Sequence, residues 1–175
     1  MRRLLLCMLL GFLCAGCAFG EQPQWGEAGK TVTFRITCKE NLDPNLVYRV
    51  AVDTDGNALT GPSNDPGEWT GLYVLEWRNG TPRLLRPDGT QAYIPVGSFF
   101  GQTAEATVNL EDFGNPGQLE VMVVVEDGGG NVVDALRTFF TVRLKYQRFV
   151  ERGDEEGDAK DPSGDLLRVS VEVSF

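Results

Sequence analysis

The stretch Arg49-Val50-Ala51-Val52-Asp53-Thr54-Asp55-Gly56-Asn57 joins an alternating apolar segment directly to a cluster of carboxylates, an amide and a glycine. Its two valines share one face with Leu46 and Tyr48, which is the period of two that marks a half-buried β-strand. We predict that residues 46–53 form a core strand and that Asp53 marks the point where the chain leaves the sheet.

Strand patterns recur along the chain, separated by turn sequences at intervals of roughly 8–12 residues. They cover residues 31–39, 46–53, 72–78, 83–86, 91–100, 103–110, 119–126, 132–149 and 167–175, and the long segment 132–149 is either continuous or broken near Asp134. Asn79-Gly80 is a strong signal for a two-residue hairpin, and Pro95 indicates an edge strand or a bulge. No segment of ten or more residues has helical periodicity. We therefore predict an all-β fold, an antiparallel β-sandwich of about nine strands with immunoglobulin-like or jelly-roll-like topology.

Residues 1–16 have the pattern of a secretory signal peptide, with a basic start, an apolar core and a small-residue exit. The exit resembles the bacterial lipobox, in which a small residue and a glycine precede a cysteine that receives lipid. Here Ala15 and Gly16 precede Cys17, although Cys14 stands where the pattern usually has leucine. We predict lipidation at Cys17 and a lipid-anchored protein of the bacterial cell envelope. The alternative is ordinary cleavage after residues 18–20, which would release a secreted protein.

The tether and the domain follow the signal peptide. Residues 17–29 are rich in Gly, Pro, Glu and Gln and are interpreted as a tether, so the sandwich domain spans residues 30–175. Within it, residues 151–165 carry seven acidic and two basic residues with three glycines. This composition predicts a solvated, mobile hairpin loop.

The charge balance argues against nucleic acid as a partner. The formal net charge is −9, and removal of Arg2 and Arg3 with the signal peptide leaves 14 basic against 25 acidic residues, or −11. Phosphates require a basic face, which this composition does not provide. The same balance argues against electrostatic binding to anionic lipid, so the predicted link to the membrane is the covalent anchor.

The residue types also argue against catalysis. The chain has no histidine, and Cys38, the one cysteine left after processing at Cys17, lies in the apolar row of residues 31–39. We predict that Cys38 is a buried small hydrophobe. Paired carboxylates such as Asp53 with Asp55, or Glu111 with Asp112, lie in predicted turns, and turn formation explains their presence without a catalytic role. We therefore predict a non-enzymatic binding or surface module.

The Asp53-Thr54-Asp55-Gly56-Asn57 cluster has two interpretations. Alternating oxygen-bearing side chains suit a hard cation such as calcium, which takes about six to eight oxygen ligands. Asp53, Asp55 and Asn57 could then be metal ligands, with Asp65 or Asp134 adding further oxygens. The other interpretation is an Asx-rich turn at a strand end, in which the same side chains accept local backbone N–H groups.

A longer pattern supports a family resemblance. It consists of Tyr48-x-Val50-x-Val52-Asp53-x-Asp55-Gly56-Asn57-x-x-Thr60-Gly61, a strand at residues 72–75, and the turn Val-Asn-Leu-Glu-Asp-Phe-Gly-Asn-Pro-Gly at residues 108–117 before a valine-rich strand. This order resembles bacterial DOMON-like sandwiches and the carbohydrate-binding modules that share their fold, over roughly residues 30–145. The resemblance implies a sandwich that binds sugars, haem or calcium, or that presents a surface. Haem is not expected, because the chain lacks histidine and Met122 lies within a strand.

Two kinds of partner remain open. A glycan would need an exposed aromatic platform, and the candidates are Trp69 in a polar loop near the Asp cluster and Tyr73 and Trp77 on one strand face. The alternative for Tyr73 and Trp77 is packing between the sheets. An envelope protein is the other partner, with the acidic loop 151–165 and exposed sheet edges as its contacts.

Overall fold

The computed structural model describes residues 29–175. The predicted signal peptide, Cys17 and the tether before Gly29 lie outside the described residues. Within residues 29–175 no helix has the length and apolarity needed to cross a membrane.

Two short 3-10 turns occur, at Pro66–Glu68 and Leu110–Phe113. The strands are β1 (Thr31–Cys38), β2 (Val47–Asp53), β3 (Tyr73–Arg78), β4 (Thr81–Leu85), β5 (Gln91–Tyr93), β6 (Val96–Phe100), β7 (Thr103–Asn109), β8 (Gln118–Glu126), β9 (Val132–Ala135), β10 (Phe140–Arg143), β11 (Phe149–Gly153) and β12 (Leu166–Ser174).

The strands form two sheets. The first has five strands in the order β11-β12-β1-β7-β6. The second has seven, in the order β10-β8-β2-β3-β4-β5, with β9 also paired to β8. Every pairing is antiparallel. The prediction of an all-β, antiparallel β-sandwich is confirmed.

The described chain has twelve strands, whereas about nine were predicted, because two predicted strands are divided. Residues 91–100 separate around Pro95 into β5 of the seven-stranded sheet and β6 of the five-stranded sheet. Residues 132–149 become β9, β10 and the start of β11. β9 pairs with the end of β8 and β10 pairs with its beginning, so the two lie one after the other along the same edge.

The core lies between the sheets and extends beyond the seven-stranded one. The predicted inward row of β1, which ends at Cys38, is fully buried, as expected from its alternation. β2 and β8 are buried on both faces, which places them in the middle of the core. The loop over residues 54–72 contributes Trp69 to the same core. It also passes so close to the Phe139 ring that a Cβ at Gly61 would overlap that ring.

A buried carboxylate on β3, Glu76, is held by three arginines from neighbouring positions in the sheet. Arg49 Nε donates to Glu76 Oε2 at 2.8 Å, and Arg83 Nε donates to Oε1 at 2.8 Å. Arg78 Nε donates to the same Oε1 at 3.1 Å. Only 1% of Glu76 is exposed. Burial raises the pKa of this carboxyl, but the hydrogen bonds from Arg78 and Arg83 and the charge of Arg49 outweigh it, so the pKa lies below its usual value.

We expect Glu76→Gln to lower the free energy of unfolding by about 2–4 kcal/mol, since it leaves three guanidinium groups without their shared counter-charge. We expect a loss below the upper end of this range, because the side chains of Arg78 and Arg83 are 43% and 34% exposed and solvent screens their charges. The difference in unfolding free energy between the wild type and Glu76→Gln should disappear as the pH falls through the lowered pKa of Glu76, because the carboxyl then becomes protonated. Urea unfolding at several pH values measures both effects.

The matched control is Glu105→Gln, which removes a carboxylate paired with Arg35 on the half-exposed face of the other sheet. Such a pair contributes about 1 kcal/mol or less. Equal costs for the two substitutions would contradict the role assigned to Glu76.

Candidate functional site

Three carboxylates meet at the end of the β2–β8 pair. Asp53, the last residue of β2, lies opposite Glu120 of β8 in the register. Residues paired in this way present their side chains on the same face of the sheet. Asp55 follows two residues later in the loop, and one carboxylate oxygen from each of the three residues lies within 4.8 Å of the other two. The fold thus brings a third carboxylate from a distant strand to the predicted Asp cluster.

Glu120 is the unusual member of this group because its side chain is completely buried. Its Oε1 accepts a hydrogen bond from Gln118 Nε2 at 2.6 Å, whereas Oε2 is buried without a hydrogen-bond partner among the described residues. Burial raises the pKa of Glu120, the bond from Gln118 opposes this, and the charges of Asp53 and Asp55 raise it further. Among the described residues, Glu120 thus has one hydrogen-bond donor and two like charges beside it.

The loop itself forms the Asx turns of the second interpretation. Asp55 N donates to Asp53 Oδ1 at 3.0 Å, and Asn57 N donates to Asp55 Oδ1 at 2.6 Å. Asn57 Oδ1 in turn accepts from Leu59 N at 3.2 Å. Turn formation and the clustering of carboxylates are compatible, because the turn uses one oxygen of Asp53, and the second oxygen of Asp55 accepts only a long bond from Thr60 Oγ1 at 3.3 Å. The structure shows Asn57 in a turn role, and its predicted role as a metal ligand stays a prediction.

The two residues expected to add oxygens to this cluster are placed elsewhere. Asp65 Oδ1 accepts from Gly67 N at 2.8 Å and caps the 3-10 turn at Pro66–Glu68. Asp134 belongs to a separate acidic group with Asp158 and Asp165. That part of the prediction was wrong, because the positions of these residues depend on the path of the loops and not on their distance in sequence.

Glu120 was missed by the sequence interpretation. The residue stands in a strand of nearly continuous apolar residues, where an ionisable side chain is rare. This isolated acid was the available signal, but its contact with Asp53 depends on a register that the sequence does not display.

The aromatic residues considered for a glycan platform pack inside the protein. Trp69 was expected to be exposed, which was wrong: it is only 7% exposed, and its Nε1 donates to Ser63 O at 2.8 Å. The loop folds back and places the indole in the core, where its N–H finds a backbone partner. Trp77 is fully buried, and Tyr73 packs edge-on against Phe113 with ring centroids 5.2 Å apart. Packing, the alternative considered for Tyr73 and Trp77, is what the structure shows.

The acidic segment is a hairpin loop, as predicted, but it is anchored to the sandwich. β11 extends to Gly153, so the loop covers residues 154–165. Tyr48 Oη donates to Ser163 O at 2.9 Å, and Gly157 N donates to Asp165 Oδ2 at 2.9 Å. Asp165 is itself buried. The expectation of a solvated loop holds for Glu155, Glu156 and Asp158, which are exposed, but not for Asp154, whose Oδ2 is buried, or for Asp165.

Asp134, Asp158 and Asp165 form the second acidic group, beside the anchored half of this loop. Asp134 Oδ2 accepts from Leu166 N at 2.7 Å, and Oδ1 accepts from its neighbour Ala135 N at 2.8 Å. Burial raises the pKa of Asp134 to about 6 against the pull of these two hydrogen bonds, and nearby carboxylates contribute. The backbone N–H groups satisfy both oxygens, which marks Asp134 as a residue that ties β9 to the start of β12.

Cys38 lies near this acidic group and is buried, as predicted. Burial, followed by the charges of Asp134 and Asp165, raises the pKa of its thiol to about 12. The thiol is therefore protonated at neutral pH, and its environment is that of a core residue.

We expect the stabilising contribution of Asp134 to decrease as the pH rises. Its pKa is about 6 in the folded protein and near 3.8 when unfolded, so the folded state holds the extra proton between these values. Asp134→Asn should therefore cost about 2–3 kcal/mol more at pH 4 than at pH 7. Denaturant unfolding of both proteins across this range provides the measurement.

Asp127→Asn is the control, because hydrogen bonds from Asn131 lower the pKa of this exposed carboxyl. The loss of unfolding free energy caused by Asp127→Asn should therefore be larger at pH 7 than at low pH, opposite to that of Asp134→Asn. A pH-independent difference between wild type and Asp134→Asn would refute the assignment.

No protein-family model, no curated protein and no solved structure matches this chain.

Proposed function

We propose that this protein is a lipid-anchored, non-enzymatic module of the bacterial cell envelope that binds a positively charged partner protein through the end of the sandwich opposite its tether. The observation that carries the proposal is the direction of β1. This strand begins next to the tether, where Thr31 pairs with Ser174 and Asn109, and runs to Cys38 at the other end.

The end of the sandwich next to the tether, here called the tether end, contains both limits of the described chain. Gly29, Lys30 and Phe175 line a cleft of about 880 Å³ there, together with the turn before β8. The opposite end, here called the distal end, contains the connection over residues 39–46 and the acidic loop 154–165. An anchor at Cys17 would hold the tether end towards the membrane and present the distal end.

The distal end is strongly acidic. Residues 154–165 contain six carboxylates and one lysine. Two exposed members are already in ion pairs, Glu155 with Arg137 and Glu156 with Lys39. Exposed pairs of this kind are weak and exchange readily with other cationic groups. This surface therefore favours a partner with exposed lysines and arginines, and electrostatic attraction would accelerate their association.

The anchor is tested by Cys17→Ala. We expect this variant to move from the membrane fraction to the soluble exported fraction, because lipid is attached through that sulfur. Cys14→Ala is the matched control, since it alters the signal exit but leaves Cys17 in place, and it should stay with the membrane. Retention of Cys17→Ala in the membrane would eliminate the lipid anchor.

The distal surface is tested by neutralising Glu155, Glu156 and Asp158 together as Gln, Gln and Asn. These exposed residues leave Asp165 and the loop anchor intact, unlike a deletion of the loop. Capture of envelope proteins by the full-length protein should decrease severalfold and should lose its salt dependence. The control neutralises three exposed carboxylates at the tether end, Glu68, Asp88 and Glu111. Equal capture by both triple variants would disprove a distal acidic contact.

A further inference from the structure

We propose that Asp53, Asp55 and Glu120 bind one calcium ion at the tether end, where β2 and β8 leave their pairing. This inference is independent of the lipid anchor and of any distal partner.

The buried oxygen of Glu120 is the first argument. Oε2 has no hydrogen-bond donor among the described residues, and the side chain is fully buried. Buried polar atoms without partners are rare, and a buried carboxylate is costly unless a counter-charge or donor faces it. Within the described part of the chain Glu120 instead lies beside two further carboxylates, each with an oxygen within 4.8 Å of one of its own, and their charges make the cost larger. A bound cation supplies the missing counter-charge for all three.

The spacing of the oxygens is the second argument. Oxygens that bind one calcium ion lie about 2.3–2.6 Å from it, so two of them are separated by no more than about 5 Å. The three carboxylate oxygens lie within 4.8 Å of one another and can therefore share one ion. The Asx turns use one oxygen of each aspartate. The second oxygen of Asp55 accepts only a long bond from Thr60 Oγ1 at 3.3 Å, and the second oxygen of Asp53 has no donor among the described residues.

The donor set identifies the class of ion. All three ligands are hard, anionic oxygens, which suit calcium and magnesium and not the softer metals that prefer imidazole or thiolate. Two of the ligands come from a loop and a strand end, and the third comes from a distant strand. Calcium tolerates such irregular geometry and completes its shell with carbonyl oxygens and water, whereas magnesium requires a near-ideal octahedron.

The second acidic group provides an internal comparison. Asp134 and Asp165 accept backbone N–H groups on both of their oxygens, so their charges already have donors. The third member, Asp158, is exposed. None of its three members has a buried oxygen left unpaired. The unpaired, buried Oδ2 nearby belongs to Asp154, which is only half-buried and is not a member of the group, so the group serves as the control site.

The test uses the full-length protein purified in detergent, treated with EDTA and then titrated with CaCl₂ by calorimetry and thermal unfolding. We expect one saturable site and an increase of several degrees in Tm, because an ion that binds only the folded state stabilises it. Glu120→Gln should weaken calcium binding at least about tenfold, since it removes one of the three charged ligands. Asp158→Asn, in the control group, should bind calcium like the wild type.

A second readout separates loss of the site from loss of the fold. In EDTA, Glu120→Gln should have a Tm equal to or above that of the wild type, because the amide keeps the bond from Gln118 and removes an uncompensated charge. Asp55→Asn, at an exposed position, should reduce calcium affinity without affecting the core. The proposal is overturned if wild type neither binds calcium nor gains stability at millimolar concentrations. It is also overturned if both site variants keep wild-type affinity, or if only Asp158→Asn loses it.

Discussion

The pairing of β2 with β8 is the constraint on which the rest of the structure depends. Seven residue pairs, from Val47 with Glu126 to Asp53 with Glu120, fix the register between the two most buried strands. A slip of one residue would turn every inward side chain of a strand to its other face. β3 is aligned on one side of this pair, and β9 and β10 are aligned on the other. The same register that forms the core also determines which charged side chains become neighbours at its margin.

Two buried glutamates in this sheet show how the surroundings of a carboxylate decide what it does. Glu76 faces Arg49, Arg78 and Arg83, and its pKa is lowered because these groups outweigh its burial. Glu120 has Gln118 as its hydrogen-bond donor, and burial raises its pKa. The first joins β2, β3 and β4 through ionic hydrogen bonds and is a structural element. The second has a buried oxygen without a donor among the described residues and lies beside the carboxylates of Asp53 and Asp55.

Local patterns predicted the features that depend on local geometry. The alternation in residues 31–39 corresponds to β1, and Asn79-Gly80 forms the expected hairpin with φ values of 51° and 72°. Local patterns could not predict the features that depend on contacts between distant parts of the chain. The polar loop around Trp69 did not reveal that it folds back onto the core, and the isolated acid at position 120 did not reveal its partner. Both depend on which strand or loop lies alongside, information that a pattern with a period of two does not contain.

The division of one long apolar segment into β9 and β10 affects how the protein meets other copies of itself. The two strands have four residues each and lie in succession beside valine-rich β8. A continuous strand in that position would present a long row of free backbone groups, and another molecule could extend the sheet by pairing with it. The interruption at residues 136–139 leaves two short segments instead, too short to template such an addition. The most apolar strand of the fold is thereby separated from solvent without a long, flat edge that would promote aggregation.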